Sequence, residues 1–312
     1  MKTKQLKVGN LYVKNNVFLA PMAGYTDYPY RKLQLECGVG LTFTELVSAK
    51  GLMYKSQGSK ELLYCGDDID NTAVQLFGSE PYYMRSACES EYLSNFKIVD
   101  INMGCPVPKV YRNGEGSALL NDLKKASEII SECKKSGKII TVKTRIGLNK
   151  GDNIAKEFAL MAEDAGASLV SIHARVREDY YSGEPNYDAV YEAKKSVNIP
   201  IIANGGIFSV DDADKMMDRT GADGVMLARG AIIDPFLVCK LTDTPIKNTL
   251  KEYILKHISL MKNYYDDRRA TNEFRKFLAY YFKGMDGVRE LKNQIYSATT
   301  TDQIIELIDK NI

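Results

Sequence analysis

The sequence predicts an α/β protein, a (β/α)8 TIM barrel followed by a small C-terminal all-α helical bundle. Three observations carry this. Between residue 16 and about residue 240, eight short β-rich runs alternate with amphipathic helical stretches, the pattern of βαβ units feeding a parallel sheet. The residue types that do chemistry fall at the C-terminal ends of those runs, which in a closed barrel converge on one face, whereas an open sheet would spread them out. After Pro235 the β-branched runs give out and apolar residues recur at near-helical spacing. The expected division is a barrel over residues 1–242 and a helical domain over residues 243–312.

In order, the strands are expected at Val17 to Ala23, Leu41 to Val47, Thr72 to Phe77, Ile98 to Met103, Ile139 to Thr144, Leu169 to Ala174, Ile199 to Ala203 and Gly224 to Ala228. Helices are expected at Asp27 to Glu36, Glu80 to Leu93, Asp122 to Lys135, Asn153 to Ala165, Tyr187 to Val197 and Ser209 to Thr220, several followed by a glycine stop such as Gly38, Gly137, Gly166 or Gly221. The C-terminal part reads as three or four helices, with Tyr253, Ile254, Ile258, Met261, Tyr264 and Tyr265 on apolar positions. Its most basic stretch interleaves Arg268, Arg269, Arg275, Lys276 and Lys283 with Phe274, Phe277, Tyr280, Tyr281 and Phe282.

Composition narrows the class. The chain has 312 residues, 45% hydrophobic and 26% charged, with a net charge of +2, so binding to a polyanion would rest on local patches rather than on a global field. Six widely spaced cysteines without a C-x-x-C pair, and only two histidines, argue against a disulfide framework and a Cys/His metal site and point to a reducing cytoplasm. No apolar run is long enough to span a bilayer, and the mature chain is expected to start at or near Met1.

The stretch Ile98 to Leu120 organises the rest. Its apolar first half ends in Asn102, Met103, Gly104, Cys105 and Pro106, the way a buried strand delivers polar groups to a site. A cationic, glycine-bearing segment with Lys109 and Arg112 follows and is expected to act as a lid over the thiol. The loops Asn204-Gly205-Gly206 and Ala228-Arg229-Gly230 fall after the seventh and eighth strands, where this barrel class builds a phosphate site from backbone N–H groups.

These segments resemble the tRNA-dihydrouridine synthases, flavin enzymes that reduce uridines in tRNA. The likeness begins with the N-x-G-C-P active-site segment. It recurs at Ala20-Pro21-Met22-Ala23-Gly24, Val74-Gln75-Leu76-Phe77-Gly78, Val142-Lys143-Thr144-Arg145 and His173-Ala174-Arg175, and at the two phosphate loops. The resemblance implies FMN as cofactor, NADPH as hydride donor and tRNA as substrate. It places Pro21, Met22 and Ala23 on the flavin ring, Gln75 on its pyrimidine edge, Lys143 beside N1/O2, His173 near the phosphate or ribityl end, and Asn204, Gly205, Gly206, Ala228 and Arg229 around the phosphate. It makes Cys105 the acid that protonates C5 of the uracil after flavin N5 has given hydride to C6, with Asn102 holding the base. Lys109, Arg112, Arg145, Arg175 and Arg177 become candidates for gripping RNA on the barrel face, and Arg275 and Lys276 match a basic helix of the family's RNA-docking domain.

Two positions depart from the family pattern: Val176, where a threonine is usual, and Phe277, where a histidine is usual. They bear on substrate positioning and RNA contacts, not on hydride or proton transfer. A monomer is expected, because a large RNA-binding face leaves less surface for self-association. Two other readings remain at this stage: a flavin barrel acting on a free pyrimidine, in the manner of a dihydroorotate dehydrogenase, and a tRNA-binding factor without turnover. The basic C-terminal helices argue against the first, and retention of Cys105, Lys143 and the phosphate loops against the second.

Overall fold

The computed structural model describes residues 3–285 and 287–312. A short antiparallel hairpin, β1 (Leu6–Val8) and β2 (Leu11–Val13), precedes eight parallel strands: β3 (Val17–Leu19), β4 (Thr42–Ser48), β5 (Thr72–Phe77), β6 (Ile98–Met103), β7 (Ile139–Arg145), β8 (Val170–His173), β9 (Ile201–Asn204) and β10 (Gly224–Leu227). Each strand from β4 to β9 pairs with its successor, and β10 pairs with β3. The ring closes where the Leu19 N–H donates to the Leu41 carbonyl at 2.9 Å and Phe18 bridges Leu41 in parallel. All eight expected strands are present, some a residue or more shorter, and the six expected helices lie on the crossovers.

The period of two along each strand sorts the core into two layers. Val99, Ile101, Met103, Val142, Ile172, Ala203 and Leu227 face outward and pack under the helices. Their neighbours Phe18, Phe43, Ala73, Ile98, Ile139, Leu169, Ile202 and Met226 face inward and fill the lower barrel. The hairpin, which lies before the first expected strand, plugs that end: Leu6, Val8 and Val13 join the inner cluster. Its turn residues are Gly9, at φ +61°, and Asn10, the glycine-bearing pair that two-residue hairpins favour. Further along the same strands the inward positions become polar, with Gln75, Asp100, Asn102, Thr141, Lys143, Ser171, His173 and Asn204. A register shift between Phe43 and Leu46 in β4 is a bulge that re-aims the strand end, and Leu46 reaches the upper cavity.

Among the described residues, five helices follow the barrel: Leu250–Tyr264, Asp267–Arg275, Leu278–Tyr281, Val288–Ser297 and Thr301–Asn311. Thr249 and Glu252 form a capping box that starts the first, stabilising it by about 1 kcal/mol. That helix lies against Tyr28–Glu36 of the barrel, where Gln34 Nε2 donates to the Tyr253 hydroxyl at 2.9 Å and Lys256 pairs with Glu36. His257 sits between Tyr30, Phe274 and Phe277, and its ring lies 4.6 Å from that of Phe277. The helices therefore share one continuous apolar core with the outer barrel.

Candidate active site

The upper barrel holds a cavity of about 470 Å³, within the range of small-molecule sites, ~300–1,000 Å³. Every strand from β3 to β10, or the turn after it, lines it. Of the residues singled out in the sequence, Pro21, Met22, Ala23, Gln75, Asn102, Cys105, Lys143, His173, Arg175, Asn204, Gly205, Gly206, Ala228 and Arg229 all do so.

The floor is a hydrogen-bonded chain whose direction is fixed by a carboxylate. Thr141 Oγ1 donates to Asp100 Oδ1 at 2.6 Å, and Gln75 Nε2 donates to Asp100 Oδ2 at 2.6 Å. Because the carboxylate accepts, the Gln75 carbonyl must point the other way, where it accepts from Asn102 Nδ2 at 2.9 Å. Asn102 Oδ1 is then left to accept the Cys105 N–H at 2.9 Å. Burial pushes the Asp100 carboxyl up to about 6, against hydrogen bonds from Gln75 and Thr141 that pull it down. At neutral pH it is predominantly ionised and keeps the chain polarised. Asp100 escaped the sequence reading although its signal was present: a charged residue inside an apolar strand, two positions before Asn102 and so on the same face.

The Cys105 turn is held from both sides. Ser117 donates through N and Oγ to the Cys105 carbonyl at 3.1 and 2.8 Å. Arg145 Nε donates to the Gly104 carbonyl and Nη1 to the Val176 carbonyl, both at 2.9 Å. Gly116, at φ +61°, stands so close that a Cβ would lie 3.0 Å from Cys105 Cβ. The segment expected as a mobile lid is thus folded, as a short helix Pro108–Arg112 and a 3-10 turn Gly116–Asn121. Burial raises the Cys105 thiol above its ordinary value, outweighing the Val107 N–H and the nearby Arg145 and Lys143 charges. A thiol so raised is a proton donor at neutral pH, not a thiolate nucleophile.

The opposite end is cationic. Lys143 Nζ donates to Asn204 Oδ1 at 3.2 Å, and Asn204 Nδ2 donates to the Met226 carbonyl at 2.7 Å. Burial, reinforced by Arg145, lowers the Lys143 ammonium to about 8. His173 lies 3.3 Å from Arg175 Nη1 and stacks on Tyr181; desolvation and four surrounding cations hold it well below its usual value, so it is neutral. Arg229 lies over the Tyr181 and Phe208 rings at 5.1 and 5.9 Å. Gly205 and Gly206 have φ of +117° and +72°, and a Cβ on Gly205 would come within 2.7 Å of His173 Cδ2. The two loops and the convergent cations make a cradle for an anion.

The proposed RNA-gripping residues separate. Lys109 and Arg112 are exposed on the short helix outside the cavity. Arg145 is buried and Arg175 is tied by Nε and Nη2 to the Gly183 carbonyl at 3.1 and 2.7 Å, so both build the pocket rather than the outer face. Arg275 is held within the C-terminal helices by the Ala298 carbonyl and Asn272. Lys276 pairs with Glu273 and stands against Gly24 at the rim. Phe277 is core. Tyr25, Tyr181 and Tyr280 also line the cavity; none was singled out for the site, because only the tertiary fold brings them there.

An eight-stranded barrel with glycine loops and convergent cations after its last two strands, a buried lysine and a buried cysteine defines the class: a TIM-barrel enzyme whose mouth suits an anionic cofactor. Among solved structures it resembles histamine dehydrogenase from Rhizobium sp. 4-9 (TM-score 0.58, 16% identity, covering 82% of this chain and 50% of that one) and morphinone reductase (TM-score 0.55, 12% identity, covering 75% and 88%). These likenesses concern the fold. The dihydrouridine synthase (Dus) family profile matches residues 18–312. Two relatives are similar along almost their whole length: tRNA-dihydrouridine synthase B of Pasteurella multocida, 34% identical over 97% of this chain and 94% of its own, and the probable tRNA-dihydrouridine synthase of Rickettsia conorii, 31% identical over 93% and 91%. The chain belongs to the dihydrouridine synthase family.

Proposed function

We propose that this protein is a tRNA-dihydrouridine synthase that binds FMN in the barrel mouth, takes hydride from NADPH and reduces the C5–C6 double bond of a tRNA uridine. The observation that carries the reading is the pairing, in one cavity, of an anion cradle with a buried thiol held protonated. The residues fit the cofactor: Gly205 and Gly206 leave open the space a phosphate needs, Arg175, Arg229 and neutral His173 surround it, and Pro21, Met22, Ala23 and Gln75 line the side where a planar ring would lie. When bound, the flavin supplies the hydride chemistry.

The chain's own groups do the remainder. Lys143, which makes no ion pair among the described residues and lines the cavity, directs its positive charge into it, where it stabilises negative charge developing on the reduced ring system. Cys105 delivers the proton from Sγ. Asn102, oriented by Gln75 and Asp100, pins the Cys105 backbone and presents its amide to a base edge. A uridine must leave its stack to enter, and the exposed Lys109 and Arg112 beside the mouth suit its flanking phosphates. The division into a barrel over residues 1–242 and helices over residues 243–312 belongs to the same proposal, the helices guiding the RNA.

The test is anaerobic. The yellow protein is reduced with NADPH, unmodified tRNA is added, and flavin reoxidation is followed alongside dihydrouridine formation. Matched reoxidation and product support the reading. Reoxidation by a free pyrimidine but not by tRNA replaces it with the small-substrate alternative, and a colourless protein that binds tRNA replaces it with a non-catalytic one.

A further inference from the structure

The cavity has one lining residue from beyond the barrel among those described: Tyr280, in the short helix Leu278–Tyr281. That helix is fixed by its neighbours. Phe277, Leu278, Tyr281 and Phe282 are each 3% exposed or less, whereas Tyr280 is half-buried and faces the cavity. It is wedged between two barrel turns. On one side its ring meets Tyr25 edge-on at 5.7 Å and 86°, and Tyr25 in turn meets Phe277 at 5.5 Å. On the other side the same short helix packs against Arg229–Ile233, whose Gly230 and Ile232 also line the cavity. Tyr25 is braced independently: its N–H donates to the Met22 carbonyl at 2.9 Å, and the preceding Gly24 N–H is held by Glu45. Burial and the Tyr280 hydroxyl push the Tyr25 phenol up to about 12, so it remains a neutral donor.

Strand order gives this aromatic wall its meaning. Tyr25 and Tyr280 stand at the β3 and β10 side of the mouth. In a closed ring of eight, β6 and β7 lie diametrically opposite, and they carry Cys105 and Lys143. A base that receives a proton from Cys105 must be kept within hydrogen-bond reach of the thiol. Asn102 on β6 can hold the base by one edge, and the wall facing it across the cavity limits movement away from the thiol.

We propose that Tyr280, backed by Tyr25, is a positioning residue that presses the extruded uridine toward Cys105, so that the C-terminal helices contribute to the chemical step as well as to RNA docking. This rests on the dihydrouridine synthase reading above. A ring surface does the work, and a base rests on an aromatic face without any need for the phenol oxygen.

The experiment compares full-length wild type, Tyr280→Ala and Tyr280→Phe. It measures flavin content, the rate of flavin reduction by NADPH, tRNA dissociation constant at fixed salt, and the single-turnover rate of reoxidation by saturating tRNA. Tyr280→Ala is expected to keep its flavin, its NADPH half-reaction and its tRNA affinity within about threefold, while reoxidation slows by about 10- to 100-fold, the scale set by ~1 Å of misplacement. Tyr280→Phe is expected to restore the rate to within about threefold. An unchanged reoxidation rate in Tyr280→Ala overturns the proposal. So does a loss that disappears at saturating tRNA, which marks a docking contact only. Loss of flavin or of NADPH reduction assigns Tyr280 to the cofactor instead, and failure of Tyr280→Phe to rescue shows that the ring is not what acts. If wild type is not reoxidised by tRNA, the function reading falls and takes the proposal with it; an active wild type with an indifferent Tyr280→Ala removes the proposal alone.

Discussion

In the proposed reaction Cys105 supplies the proton and Lys143 the positive charge, and burial moves the two in opposite senses. The thiol is pushed up and keeps its proton, while the ammonium is lowered to about 8. Cys105→Ala should leave flavin binding and NADPH oxidation intact and slow uridine reduction by about 10²- to 10⁴-fold, the range of a lost general acid; a parental rate of dihydrouridine formation would remove its role. Lys143→Met should slow flavin reduction by NADPH by about 10²-fold through lost charge stabilisation, read by stopped-flow from the bleaching of the flavin's yellow absorbance. Most of these positions were legible because each ends an apolar run at a place where a barrel must open. Asp100 carried a signal, a charge inside an apolar strand, but its partners Gln75 and Thr141 lie on neighbouring strands, so its role was not legible. Arg275 has a partner, the Ala298 carbonyl, that no helical spacing announces.

At the scale of elements, the seam between the barrel and the C-terminal helices carries groups with displaced titrations. Asp27 caps helix Tyr28–Glu36 through the Tyr30 N–H and accepts from the Tyr265 hydroxyl at 3.1 Å, and burial raises it from 3.8 to about 7. Between those values the folded state holds the extra proton, so this group's contribution falls as pH rises through 7. His257 acts in the opposite sense: burial lowers it from 6.5 to about 3, so stability is lost as pH falls below 6.5. Asp27→Asn keeps both the cap and the acceptor and should raise stability at pH 8 by on the order of 2 kcal/mol, with little gain at pH 4. Urea midpoints at the two pH values measure it, and equal gains at both would show that Asp27 is not displaced. The apolar spacing of Tyr253, Ile254, Ile258 and Met261 foretold a packed helix. That it would pack on Tyr28–Glu36 was not legible, because the contact joins residues more than two hundred positions apart.

For the whole molecule, a net charge of +2 means that the salt dependence of RNA binding reports individual residues. Lys109 and Arg112 are exposed and make no ion pair among the described residues, whereas Lys276 is already matched by Glu273. Alanine at either of the first two should lower the slope of log K against log salt by about 0.7 to 0.9; Lys276→Ala should change it less. Equal slopes for all three variants would place the RNA elsewhere.

The N-terminal hairpin has a consequence for kinetics. With Leu6, Val8 and Val13 stopping the lower end of the barrel, the described residues leave no rear door, and in the proposed reaction the hydride donor and the RNA share one opening. Two bulky visitors at one entrance take turns, so initial-velocity plots of one substrate at several concentrations of the other should give parallel lines, each substrate in excess should inhibit by occupying the form meant for the other, and no ternary complex should accumulate.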